Sequence, residues 1–362
     1  MATYLTHTEL NQVIQTLLPH YNILAPGYEN KGGRFAGTDN LTYLSVTQAS
    51  DIVWQEKSHF SPKEAVTPIT QTLFHFNGDE LRESKIEARP TLIFLRACDI
   101  NALKRLDHMY LNNGNNEDIY YCRLRQQLKL VLIECAQSFE NCFCVSMNSN
   151  TTDNYDAAVR FDANGVAFMA KDPELQSYLN NTGKEIEFTP QFVQSNPTKV
   201  RTPDQVCNDP NLIRQILHKH PVWSEYDSRC IGCGRCTTSC PTCSCYNMFD
   251  VAYDENHKVG ERRRQQASCM TNGFADMAGG HSFRDKTGER LRYRALHKVN
   301  DYKARQGHDH MCVGCGRCDD RCPHYISFTN IINRMTDIVE QHLNDEVEHA
   351  FSTHQKIEVT HV

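Results

Sequence analysis

The sequence is short of every long apolar run. Its purely apolar stretches, such as Leu92 to Leu95 and Leu130 to Ile133, run only a few residues, far below the roughly 20 needed to cross a bilayer as a helix, so no membrane span is expected. The start, MATYLTHTEL, lacks a basic stretch followed by an apolar one, so no secretory signal is expected and the cytoplasm is the expected location. No G-x-G-x-x-G or G-x-x-x-x-G-K-[ST] string occurs, and none of the 17 His residues forms an H-E-x-x-H pair. The chain therefore lacks a recognisable nucleotide loop and a zinc-protease helix. An excess of basic charge is also missing. With 38 Lys and Arg against 44 Asp and Glu, the net charge of -6 argues against general nucleic-acid binding.

Cysteine is the residue in excess. Seventeen occur among 362 residues, and in a reducing compartment thiols need a role other than disulfide bonding, of which metal binding is the leading one. The cysteines divide into Cys98, Cys122, Cys135, Cys142 and Cys144, then Cys207, then eleven from Cys230 to Cys322. That division suggests two units, 1–205 and 206–362, with the polar, proline-punctuated stretch from Asp162 to Val206 before the boundary. The first unit reads as α/β: an apolar strand over Thr91–Ala97, a helical spacing over Asp99–Tyr110, and a second strand over Leu128–Glu134 form a plausible parallel βαβ unit. The second reads as mostly α-helical, since few stretches alternate as a strand would. Ile326–Phe351 carries an apolar stripe that suits a capping helix.

Two copies of one motif dominate the second unit: Cys230-Ile-Gly-Cys233-Gly-Arg-Cys236-Thr-Thr-Ser-Cys240-Pro241 and Cys312-Val-Gly-Cys315-Gly-Arg-Cys318-Asp-Asp-Arg-Cys322-Pro323. Both read C-x2-C-x2-C-x3-C-P. Three closely spaced thiolates hold one corner of a [4Fe-4S] cubane, and the fourth is carried away to ligate the cluster of the other motif. One cluster is thus expected on Cys230, Cys233, Cys236 and Cys322, and the other on Cys312, Cys315, Cys318 and Cys240. Gly232, Gly234, Gly314 and Gly316 let the backbone pass close to sulfur. Two zinc ribbons in a zinc-stabilised interaction scaffold are the reading from another class, since C-x2-C pairs also bind zinc. The radical S-adenosylmethionine spacing of Cys236, Cys240 and Cys243 is nested inside ligands already used and leaves the second quartet unexplained.

The first unit holds a subtler set. Cys98 and Cys135 each end an expected strand, and in a parallel βαβ unit both ends lie on the rim where open α/β sheets place their sites. Cys142 and Cys144 follow in one loop. A third [4Fe-4S] cluster on Cys98, Cys135, Cys142 and Cys144 is one reading, with Asp99 as an alternative ligand to Cys98. The other makes Cys98 and Cys135 small buried hydrophobes. Residues 258–305 carry twelve Lys and Arg against five Asp and Glu, which reads either as a solvated face or as a docking surface for a partner.

The paired motifs, the string RALHKVNDYKAR over Arg294–Arg305, ACDINAL and ENCFCVSM resemble the iron-sulfur A subunit of bacterial anaerobic sulfite reductase, over roughly Leu10 to Met335. A more distant likeness, through R-x-C-D and C-F-C-x-S-M, is to the β subunits of soluble NiFe hydrogenases and sulfhydrogenases. In those relatives the first half also holds a cluster. The first resemblance implies an electron-transfer subunit without bond-making chemistry of its own, working between a flavoprotein subunit (FAD, NADH) and a sirohaem subunit that reduces sulfite to sulfide. The second implies the electron-transfer subunit of a hydrogenase. The 72 positions between Cys240 and Cys312 exclude the minimal two-cluster fold and suggest a helical ferredoxin-like domain with an inserted segment.

Overall fold

Thr91–Leu95 and Leu128–Ile133 are almost wholly apolar, as strands buried on both faces must be. In the computed structural model, which describes residues 2–33, 35–85 and 89–359, they are two of twelve strands. In chain order these are β1 (Ala2–Thr6), β2 (Asn22–Glu29), β3 (Asn40–Ser45), β4 (Thr70–Asn77), β5 (Glu80–Glu83), β6 (Thr91–Leu95), β7 (Leu128–Ile133), β8 (Ala157–Phe161), β9 (Gly165–Ala170), β10 (Lys184–Ile186), β11 (Tyr246–Ala252) and β12 (Val259–Gln266). Eight form one sheet in the order β10-β1-β9-β8-β7-β6-β2-β3. Its centre, β2, β6, β7 and β8, is parallel. The expected βαβ unit is present, with the helix Ala97–Tyr110 between β6 and β7. A second helix, Ile119–Gln126, follows the Asn-rich loop and is capped by Asp118, whose side chain accepts from the Tyr121 N–H.

Alternation along β6 and β7 sends Leu92, Phe94, Val131 and Ile133 to one face and Ile93, Leu95, Leu130 and Leu132 to the other. The helix His7–Leu17 covers the first face with Leu10, Val13, Ile14 and Leu17, and its start is fixed by a Thr6/Glu9 capping box. Ile100, Leu103 and Leu106 of the helix Ala97–Tyr110 cover the second. Full burial of each such side chain contributes about 1.5–3 kcal/mol, so this double-sided core fixes the rim at the carboxyl ends of β6 and β7.

The polar stretch after Asp162 also contains structure: Asp162 turns the chain by accepting from the N–H groups of Asn164 and Gly165, and β9 then runs back along β8. Farther on, β11 and β12 form a hairpin inside the half expected to be helical. They join β4 and β5 in an antiparallel sheet of order β11-β12-β4-β5. The hairpin escapes pattern reading because β11 is mostly solvent-exposed and β12 is a run of charged and amide residues.

By contacts, the chain divides into two compact units that interleave in sequence. One comprises Met1–Pro197, Arg235–Ser268 and Val313–Arg321, the other Thr198–Gly234, Cys269–Cys312 and Cys322–Val362. The first holds both sheets. The second carries helices Pro210–His218, Glu225–Arg229 and Phe328–Val359, and a helical run from Thr287 to Gln306 whose middle, His297–Asp301, is a π-helical turn. Gly307, left-handed at φ 83°, ends that run. Trp223 anchors the unit by donating to the Leu217 carbonyl at 2.6 Å. No helix among the described residues is long and apolar enough to cross a membrane.

Candidate cluster-binding sites

The rim of the large sheet gathers four of the five cysteines of the first half, leaving Cys122 in the helix Ile119–Gln126. Cys98 opens the helix after β6, Cys135 leaves β7 and bridges Phe192, and Cys142 and Cys144 are buried in the loop that follows. Their electrostatics show them to be neighbours. Burial pushes the Cys144 thiol up to about 11, the Asn196 amide at 3.6 Å pulls it down, and Cys142 and Cys135 raise it further. Burial also raises Cys98 well above the ordinary thiol value, helped by Asp99, Cys144 and Cys315. Cys135 is raised by burial and partly relieved by Arg96. Among the described residues no cysteine is in a disulfide.

Asp99, the alternative ligand, is fully buried and both its oxygens are engaged. Arg317 donates to them at 2.6 and 3.0 Å, and the Tyr43 hydroxyl adds a 3.4 Å contact. Arg317 lies in the second cysteine motif, and its guanidinium also donates to the Ser58 carbonyl and hydroxyl, both at 3.0 Å. The motif's glycines press against the rim loop. A Cβ on Gly314 would come within 2.5 Å of the Phe143 carbonyl and one on Gly316 within 2.1 Å of the Asn141 oxygen, and both glycines have positive φ. The Phe143 N–H donates to the Gly314 carbonyl at 2.8 Å, and Cys142 Sγ lies 3.5 Å from the Cys315 carbonyl. Cys98 packs with Ala102, Val313 and Cys315. Burial raises Cys315 to about 11, with Arg317 lowering it and Cys240 among the groups that raise it. Cys240 and Cys315 are therefore neighbours. Lys63 holds the segment carrying Cys240 by donating to the carbonyls of Thr237 and Cys243 at 3.2 and 3.3 Å.

The other unit carries the start of the first motif. Cys230 ends the helix Glu225–Arg229. Its thiol is raised by burial, lowered by the Gly232 N–H, and raised by Cys233 and Cys322, so those three cysteines share a neighbourhood. The Ile326 N–H points at Cys322 Sγ at 3.3 Å, and Gly232 takes the left-handed conformation (φ 64°). Such N–H···S contacts are what a thiolate bound to a cluster accepts. Cys233 is exposed, and Cys230, Ile231 and Gly232 border an open cavity with Lys286 and Arg290.

The basic segment is largely used internally. Arg262 pairs with Asp250, Arg263 with Glu261, and buried Arg264 with Asp118. Arg290 donates to the carbonyls of Met270, Arg284 and Asp285, Arg294 lies 4.1 Å over the Phe328 ring, and Lys303 pairs with Asp204. Sequence reasoning also missed Lys57, Ser58 and Asn196, which surround the rim from loops without periodic signal. Arg317 had a trace, because Gly-Arg-Cys recurs in both motifs.

Among the described residues no three His, Cys, Asp or Glu side chains converge on a single-ion site, but the mostly half-buried thiols in neighbouring groups, the left-handed glycines and the backbone N–H groups directed at sulfur suit the wider spacing of an iron–sulfur cluster. Residues 229–326 match a family model described as a 4Fe-4S dicluster domain. Over 328 residues the chain is 28% identical to the sulfhydrogenase 2 subunit beta of Pyrococcus furiosus, a match covering 87% of this chain and 92% of that one. No solved structure matches. Together these support an iron–sulfur electron-transfer subunit with 4Fe-4S clusters. The named relative is a hydrogenase subunit, so the comparison favours the more distant of the two resemblances and gives the sulfite reductase reading no support.

Proposed function

We propose that this chain is the electron-transfer iron–sulfur subunit of a hydrogenase complex of the NiFe type, working between a flavoprotein subunit that exchanges electrons with NADH and a catalytic subunit. The carrying observation is the extent of the match to the sulfhydrogenase subunit, which runs far beyond the dicluster residues and so takes in much of the α/β part. Bound clusters would supply one-electron storage at three places. Cys230, Cys233 and Cys322 with Cys236 form the first set, and Cys240 and Cys315 with Cys312 and Cys318 the second; Cys236, Cys312 and Cys318 enter on motif spacing alone. Cys98, Cys135, Cys142 and Cys144 form the third. Cys98 is preferred to Asp99 because Arg317 holds both oxygens of the carboxylate.

Anaerobic purification from the native host tests this reading. About twelve iron and twelve sulfide per chain are expected for three cubanes, together with a co-purifying nickel protein. Co-purification of a sirohaem protein would replace the hydrogenase with the sulfite reductase reading, and zinc with little iron would leave the scaffold. The crossed ligation has its own check. Cys240→Ala should first remove the paramagnetic signal that Cys315→Ala removes, and loss of the Cys230 signal instead would reverse the assignment.

A further inference from the structure

Lys57 stands in an irregular loop, yet its side chain is only 9% exposed and all three ammonium donors are taken. Asp320 Oδ2 lies at 2.7 Å, the Cys315 carbonyl oxygen at 3.0 Å and Cys142 Sγ at 3.7 Å. Cys142 belongs to the rim set and Cys315 to the second motif, so one buried cation touches a proposed ligand of each. Its neighbour Ser58 holds Arg317, which holds Asp99 beside Cys98. A two-residue stretch of loop thereby ties both sets together.

We propose that Lys57 is a shared electrostatic positioning residue for the rim set and the second-motif set, raising the reduction potential at both and making the two move together. The proposal rests on the reading that Cys98, Cys135, Cys142 and Cys144 bind a cluster. Reduction adds negative charge at a site, and a fixed cation within a few ångströms of a ligand residue, at the Cys142 sulfur on one side and the Cys315 carbonyl on the other, favours that charge, more strongly where water is excluded.

The test is an anaerobic redox titration of the full-length protein with dithionite, followed by electron paramagnetic resonance. Lys57→Met should lower the equilibrium constant for reduction about tenfold at both sets, about 59 mV for one electron, while Lys57→Arg stays near wild type. Asp320→Asn, which leaves the cation without its carboxylate, should shift both potentials upward. A Lys57→Met protein with full iron and unmoved potentials overturns the proposal, as do shifts of the same sign in Lys57→Met and Asp320→Asn. If Lys57→Met fails to hold clusters, Lys57→Gln, which keeps a polar group without the charge, decides: a downward shift at both sets supports the proposal and no shift overturns it. Wild-type protein with about eight iron and no third signal would instead remove the rim cluster on which it rests.

Discussion

Cys98 and Asp99 are adjacent in sequence and meet different surroundings. The carboxylate is closed off by Arg317, whereas the thiol lies beside Cys144 and Cys315. Asp99→Asn should therefore keep its iron but strand a buried guanidinium, lowering stability by about 3–5 kcal/mol in anaerobic urea unfolding. Cys98→Ala should lose about a third of the iron with a smaller effect on unfolding. Iron loss from Asp99→Asn at unchanged stability would move the ligand to the carboxylate. The sequence displayed both candidates and could not choose between them, because the choice depends on Arg317, a residue 218 positions away.

Among elements, the second motif and the rim loop meet through glycine. At Gly314 and Gly316 a Cβ has no room and the backbone is left-handed, whereas at Gly307 the conformation is left-handed with nothing within 4 Å. Gly314→Ala and Gly316→Ala should each cost more than the roughly 1 kcal/mol expected of a left-handed alanine at position 307, and only the first two should disturb the clusters' spectra. The β11–β12 hairpin offers a different check. Thr72 and Arg263 hold Glu261 down to about 2, below the ordinary carboxylate value of about 4.3. Its contribution is full above that ordinary value and is lost as pH falls toward 2. Glu261→Gln should melt below wild type at pH 7, with the gap closing on acidification; a gap independent of pH would remove the ion pair from the account. Strands β6 and β7 were legible as apolar runs because both their faces are buried. The hairpin was not, since Tyr246, Met248 and Phe249 point to solvent and β12 is a charged run in which Arg264 reaches Gln71 only once β4 is in place.

For the whole molecule, the net charge concealed an internal economy of ion pairs. Charge reversal at Arg264 should destabilise the fold, because the side chain is buried against Asp118 and Gln71, whereas reversal at exposed Arg262 should cost at most about 1 kcal/mol. Thermal melts of the two variants separate these outcomes. Only a partner-binding defect in a variant that melts normally would then speak for a docking face. The cysteine spacing made the two motifs readable, but not the interleaving that places Val313–Arg321 in the unit formed by the first 197 residues. A chain ending at residue 205 would lack the strands that pair with β4 and the arginine that closes Asp99. Rapid proteolysis of such a fragment is the expected result.

That interleaving also sets an order of events during synthesis. Arg317 leaves the ribosome 218 residues after Asp99, so for much of translation the large sheet carries an unpaired carboxylate at its rim and a thiol loop without its glycine lid. The iron loading proposed for the rim would therefore belong to the released chain, and a cell that admits oxygen while the loop is open should accumulate protein whose sheet is formed but whose rim cysteines have been oxidised.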